Sequence, residues 1–137
     1  MGCSISNEDL IVKTDTLSSK EKELIKKTWL LIPNKDELGN QIMFRIFKTH
    51  DEIKYLWIFA SNLETEAEML KNSQFCYHAK RLGDSLDMVI NALTASTQVV
   101  DFSKHIDVFR LGKRHWHYGV QSSYYEVYLK RFQKIHN

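Results

Sequence analysis

The sequence predicts an all-α protein, and three observations carry that expectation. Proline occurs once and glycine five times in 137 residues. The Asn-Gly, Asp-Gly and Gly-Gly pairs that close two-residue hairpins are absent. Apolar residues recur at intervals of three and four along most of the chain, the period of a helix with one buried face. A composition of 43% hydrophobic and 26% charged residues suits a globular chain, and 137 residues suit one domain.

The same numbers speak against other classes. A net charge of +2 gives no basic excess of the kind nucleic-acid binders carry, so no nucleic acid is expected as a partner. No apolar run approaches the roughly 18 residues that span a bilayer. Charges in "NEDLIVKTD" interrupt any signal-peptide core. Two cysteines, Cys3 and Cys76, make no disulfide framework and suit a reducing, cytosolic setting. There is no internal repeat and no low-complexity block.

Residues 1–16 read as a flexible polar tail. Its start, "MGCSIS", fits M-G-x-x-x-[ST]: Gly2 would carry myristate once Met1 is removed, and Cys3 stands where palmitate is often added. One myristoyl chain binds a membrane only marginally, so the pair makes physical sense. The first helix begins at the capping box Ser18-x-x-Glu21, with Leu24, Ile25, Thr28, Trp29 and Ile32 on one face and Pro33 as its stop. Asn34 caps a second helix whose apolar face is Leu38, Ile42, Met43, Ile46 and Phe47. "EIKYLWIFA" reads as a helical turn or corner, and "SNLETEAEMLKN" as an acidic surface stretch. A long helix from about Gln74 to Leu93 carries Phe75, Ala79, Leu82, Leu86, Val89, Ile90 and Leu93 as its stripe, with His78 on the edge. "TASTQVVDFS" connects it to a helix from about Ser103 to His115, where Val108, Leu111 and His115 share a face. Tyr124, Tyr128, Phe132 and Ile135 mark a last amphipathic run. No strand pattern competes.

Two inward-looking histidines on different helices, His78 and His115, are the chemical signal. Singly, each is an ordinary packed histidine; the pair, with aromatics around both, asks for more. Zinc fits poorly, because Cys76-x-His78 and His115-x-His117 place ligands two residues apart, about 200° around a helix. Cys76 as a nucleophile lacks an oxyanion-binding turn, and no glycine-rich phosphate loop is present. Haem fits better. A flat apolar macrocycle enters a crevice between helices, takes an imidazole on the iron, and meets cations at its rim. His115 would be the fixed ligand, with His78 facing it. Arg81, Lys113 or Arg114 would reach the propionates, and Leu82, Leu111 and Val120 would touch the ring.

With those residues placed, the chain resembles a globin over about residues 17 to 128. "LSSKEKELIKKTW" is similar to the family's first helix, and "LGNQIMFRIFKTHDEIKYLWIF" to its second helix and corner. "FCYHAKRL" and "LGKRHWHYGV" are similar to its distal and proximal histidine segments. Leu111, Gly112, His115, Gly119 and Val120 stand as in globins of the neuroglobin and globin X type. The resemblance implies an all-α globin fold, His115 as proximal ligand and His78 as a distal residue that binds iron directly. It adds Met43, Phe47, Trp57, Phe59 and Tyr125 as haem contacts. Trp57 stands at the family's corner phenylalanine, with Phe59 as the alternative, and Asp51 replaces the usual proline. Residues 17–137 would then form a globin domain incomplete at its C-terminus, lacking the last helix and part of the one before it.

The function so implied is that of a haem b protein, bis-histidyl, binding oxygen, nitric oxide or nitrite or exchanging electrons. It would work at the cytoplasmic face of the plasma membrane, held by acylated Gly2 and Cys3, and would be soluble in the cytosol without them. Sensing or protection suits it better than bulk transport. Turnover as a nitrite reductase or nitric oxide dioxygenase would be a side activity needing a reductase partner, since no flavin or nicotinamide fingerprint is present. The alternative is a membrane-tethered helical interaction module without cofactor, its bare helix face recruiting a partner.

Overall fold

Side-chain caps start most of the helices. The computed structural model describes residues 11–13, 17–95, 99–101 and 107–126. Helix α1 (Ser19–Leu30) begins on the expected capping box. The Glu21 amide donates to the Ser18 hydroxyl at 3.3 Å, while the Ser18 amide and hydroxyl both donate to the Glu21 carboxylate at 2.7 Å. These bonds, the hydroxyl's first, hold the Glu21 carboxyl below its ordinary range. Helix α2 (Lys35–Thr49) begins where the Asn34 side chain accepts the Asp36 and Glu37 amides. Its expected face is buried at Ile42, Met43, Ile46 and Phe47. The corner "EIKYLWIFA" folds as α3 (Asp51–Lys54) followed by a 3-10 turn (Ile58–Ala60).

Helix α4 (Glu66–Lys71) lies in the stretch expected only as acidic surface. A second capping box, Thr65 with Glu68, starts it, and Met69 is buried. The Asn72 side chain then accepts the Phe75 amide at the start of α5 (Ser73–Thr94). Helix α6 (Val108–His117) starts later than the expected Ser103, because the Asp107 carboxylate accepts the Arg110 amide at 2.8 Å. Gly119, at φ 83°, turns the chain into the helical residues 122–126. Tyr128, Phe132 and Ile135 of the last run lie outside the described residues.

Two expectations need correction. The face of α1 is narrower than its spacing implied. Leu24 is 64% exposed and Thr28 is exposed, its hydroxyl donating to the Leu24 carbonyl, which leaves Trp29 as the buried anchor. Strands also form where none were expected. β1 (Ile11–Lys13) pairs antiparallel with β2 (Val99–Asp101), with Val12 opposite Val100. β-branched residues cluster in both segments, and three residues are too few for an alternating pattern to register in the sequence.

The contacts divide the chain into two compact units. The first, residues 1–33 and 86–117, holds β1, α1, the end of α5, β2 and α6. Here the Trp29 indole N–H donates to one Asp87 carboxylate oxygen at 2.7 Å, and the Asn91 amide donates to the other at 3.0 Å. The second, residues 34–85 and 118–137, holds α2, α3, α4, the start of α5 and residues 122–126. Its core is Ile42, Met43, Ile46, Phe47, Ile53, Ala60, Met69, Phe75 and Ala79. Among the described residues no helix is long and apolar enough to cross a membrane.

Within the second unit α2 and α5 cross backbone to backbone. A Cβ on Gly39 would collide with the Ala79 carbonyl, and one on Gly83 with the Lys35 carbonyl. Gly39→Ala is therefore expected to lower the unfolding free energy by about 1–3 kcal/mol, the usual cost of overpacking. At an open helical position the same change would stabilise by about 1 kcal/mol. Urea unfolding decides between the two.

Candidate functional site

The second unit builds an aromatic wall that ends on an imidazole. Phe47 of α2 is 1% exposed and is flanked by two rings. Its centroid lies 5.9 Å from Phe75 of α5 and 5.2 Å from Trp57 of the corner. Trp57 in turn meets the His78 ring edge-on at 5.2 Å and 67°. Helical spacing puts Phe75, His78 and Ala79 on one side of α5, which is why the histidine follows the core face and stays half-buried. Met43 is buried on α2, Leu82 is half-buried one turn beyond His78, and Val120 is half-buried after the Gly119 turn. An open cleft of ≈ 510 Å³, lined by Phe59, Ser73, Gln74, Tyr77 and His78, gives the imidazole a path to solvent.

The corner that carries Trp57 and Phe59 is tied at its base by a buried cation. Lys54 is 5% exposed, and its ammonium donates to the exposed Glu64 carboxylate at 3.2 Å. Glu68 lies close enough to feel the same charge. Its carboxyl is held low first by the Thr65 and Glu64 amides, then by the Thr65 hydroxyl, and least by Lys54. Between Lys54 and Glu64 the chain winds through successive turns, with Trp57 N–H on the Lys54 carbonyl and Ala60 N–H on the Trp57 carbonyl. No periodicity signals this lysine; its burial depends on a loop closing over it.

The remaining expected residues fall as follows. Arg81 is exposed and donates to the Tyr77 hydroxyl at 3.1 Å, with its guanidinium 5.7 Å from that ring's centre. Tyr125 is 48% exposed, and partial burial raises its phenol above the usual range. Cys76 donates its thiol to the Leu70 carbonyl at 3.3 Å. In the first unit His115 is half-buried, and its Nδ1 lies 2.8 Å from the Leu111 carbonyl, four residues back on α6. A carbonyl only accepts, so Nδ1 carries the proton and the neutral ring has its lone pair on Nε2, the nitrogen suited to a metal. Sequence spacing alone did not reveal this bond. Lys113, Arg114, Trp116 and His117 are exposed on the same helix. Gly2 and Cys3 lie outside the described residues.

Breaking the corner tie tests whether the cation is held by its carboxylate. Lys54→Met, which removes the charge and keeps the stem, is expected to leave the unfolding free energy within about 1 kcal/mol. Glu64→Gln, which leaves a buried ammonium short of a carboxylate, is expected to cost more. Equal costs in thermal unfolding would contradict the tie.

Comparison with known proteins adds a lineage to this geometry. The family model described as Globin matches residues 40–135. The chain is 28% identical over 108 residues to a neuroglobin of Tetraodon nigroviridis, covering 78% of this chain and 65% of that protein. It is 28% identical over 115 residues to a neuroglobin of Chaenocephalus aceratus, covering 82% and 69%. It is 26% identical over 92 residues to cytoglobin-1 of Oryzias latipes, covering 66% and 52%. The aligned stretch thus spans between 52% and 69% of these relatives' own lengths. No solved structure gave a significant match.

Proposed function

The chain belongs to the globin family, and from that premise we propose that it holds a b-type haem on His115 and His78 and works at a membrane surface. The observation that carries this reading is the Leu111 carbonyl on His115 Nδ1 at 2.8 Å. It fixes the tautomer and the ring plane and raises the basicity of Nε2 toward a metal. The buried rings of Phe47 and Phe75, with Trp57 beside them, give His78 an apolar backing. Trp57 packs edge-on against the His78 ring, the imidazole that this reading takes as the second ligand. When bound, haem supplies an iron centre that takes a diatomic gas such as oxygen or nitric oxide, or passes an electron.

His78 on the iron would compete with any external ligand. That competition suits gas or redox sensing, or protection, better than bulk transport. Gly2 and Cys3, acylated, would hold the chain at the cytoplasmic face of the membrane.

Two measurements test these parts separately. Reconstitution of the full chain with hemin is expected to give a Soret band with the spectrum of two axial imidazoles. His115→Ala should lose most of the bound haem, and His78→Ala should keep it with an open sixth position. No Soret band, or one indifferent to His115→Ala, overturns the haem reading. For the anchor, Gly2→Ala is expected to move the expressed protein from membrane to soluble fractions; unchanged partitioning counts against acylation.

A further inference from the structure

Helix α6 presents three fixed cations and a histidine along one face. Arg110, Lys113, Arg114 and His117 stand at i, i+3, i+4 and i+7, and all are exposed. At about 100° per residue they fall within an arc of roughly 100°. Leu111 and His115 occupy a separate, half-buried face. Trp116, 76% exposed, flanks the cationic row on the Lys113 side. A Cβ on Gly112, which lies beyond Trp116 from the row, would meet nothing within 4 Å. The helix itself carries no carboxylate. Asp107, just before it, has its carboxylate engaged by the Arg110 amide. Among the described residues Arg110, Lys113 and Arg114 enter no ion pair.

We infer that this face of α6 docks on an anionic lipid surface, with Trp116 seated at headgroup depth. Three fixed cations on one helical face match a leaflet rich in phosphatidylserine. An exposed indole beside them is the side chain that favours the membrane–water boundary. Choosing a membrane over an acidic protein rests on the acyl anchor proposed above. Gly2 precedes Ile11 by nine residues, a reach of at most about 30 Å. β1 and α6 belong to the same compact unit, so anchor and cationic face serve one body. An acyl chain with a basic patch is a sufficient pair of membrane signals.

The test uses the full-length Gly2→Ala chain, which has no myristate, and sedimentation with sucrose-loaded vesicles. Vesicles of phosphatidylcholine with phosphatidylserine are expected to bind it, and added salt to release it. Vesicles of phosphatidylcholine alone should not bind it. Arg110→Gln/Lys113→Gln/Arg114→Gln should weaken binding on the order of 100-fold. Lys20→Gln/Lys26→Gln/Arg45→Gln, equal in charge but elsewhere, should weaken it far less. Arg110→Lys/Arg114→Lys, which keeps the charge, should bind as the parent does and guards against misfolding of the triple variant. Equal weakening by the two triple variants, or no preference for phosphatidylserine, overturns the proposal. So does a triple variant that loses hemin yet still binds vesicles, since its cations would then serve the haem. Failure of the acyl anchor reads out differently: the unmodified Gly2 chain would stay off phosphatidylcholine vesicles whatever the state of α6.

Discussion

At the crossing of α2 and α5, two helices meet with no side chain between them. Gly39 lies under the Ala79 carbonyl and Gly83 under the Lys35 carbonyl. Interaxial distance in such a pair is set by backbone, and a single methyl group forces it apart. With the helices this close, Phe47 and Phe75 come ring to ring, and the corner after α3 must fold over them. Trp57 fills that fold and bears on His78. The imidazole's orientation therefore depends on two positions where only hydrogen fits.

Each histidine has a distinct neighbour. His78 is restrained by packing, through an aromatic neighbour on a loop that Lys54 and Glu64 tie at its base. His115 is restrained by a hydrogen bond within its own helix. A ring held by packing can shift when its loop shifts. A ring held to its own helix moves only with that helix.

Much of this is legible in the amino-acid sequence. Ser18, Asn34 and Pro33 bounded α1 and α2 because caps and breakers act over three or four residues, the range a sequence displays directly. Phe75, His78 and Ala79 on one side of α5 followed from helical spacing. Features that depend on distant chain were not readable. Lys54 is buried because Glu64 and the corner close around it. Leu24, one turn before Thr28 on the expected face, is exposed, while Trp29 is buried with its indole donating to Asp87, a residue 58 positions away. The β1–β2 ladder joins segments far apart in sequence and too short for a period. Thr65 with Glu68 was a local signal in plain view, hidden by the acidic residues around it.

The bond that fixes His115 has an acceptor with no side chain in it. Whatever residue occupies position 111, the carbonyl stays, so substitutions there leave the imidazole's proton where it is. Only loss of the turn itself removes the acceptor. The side chains around the ring of this chain can thus change while the acceptor stays in place.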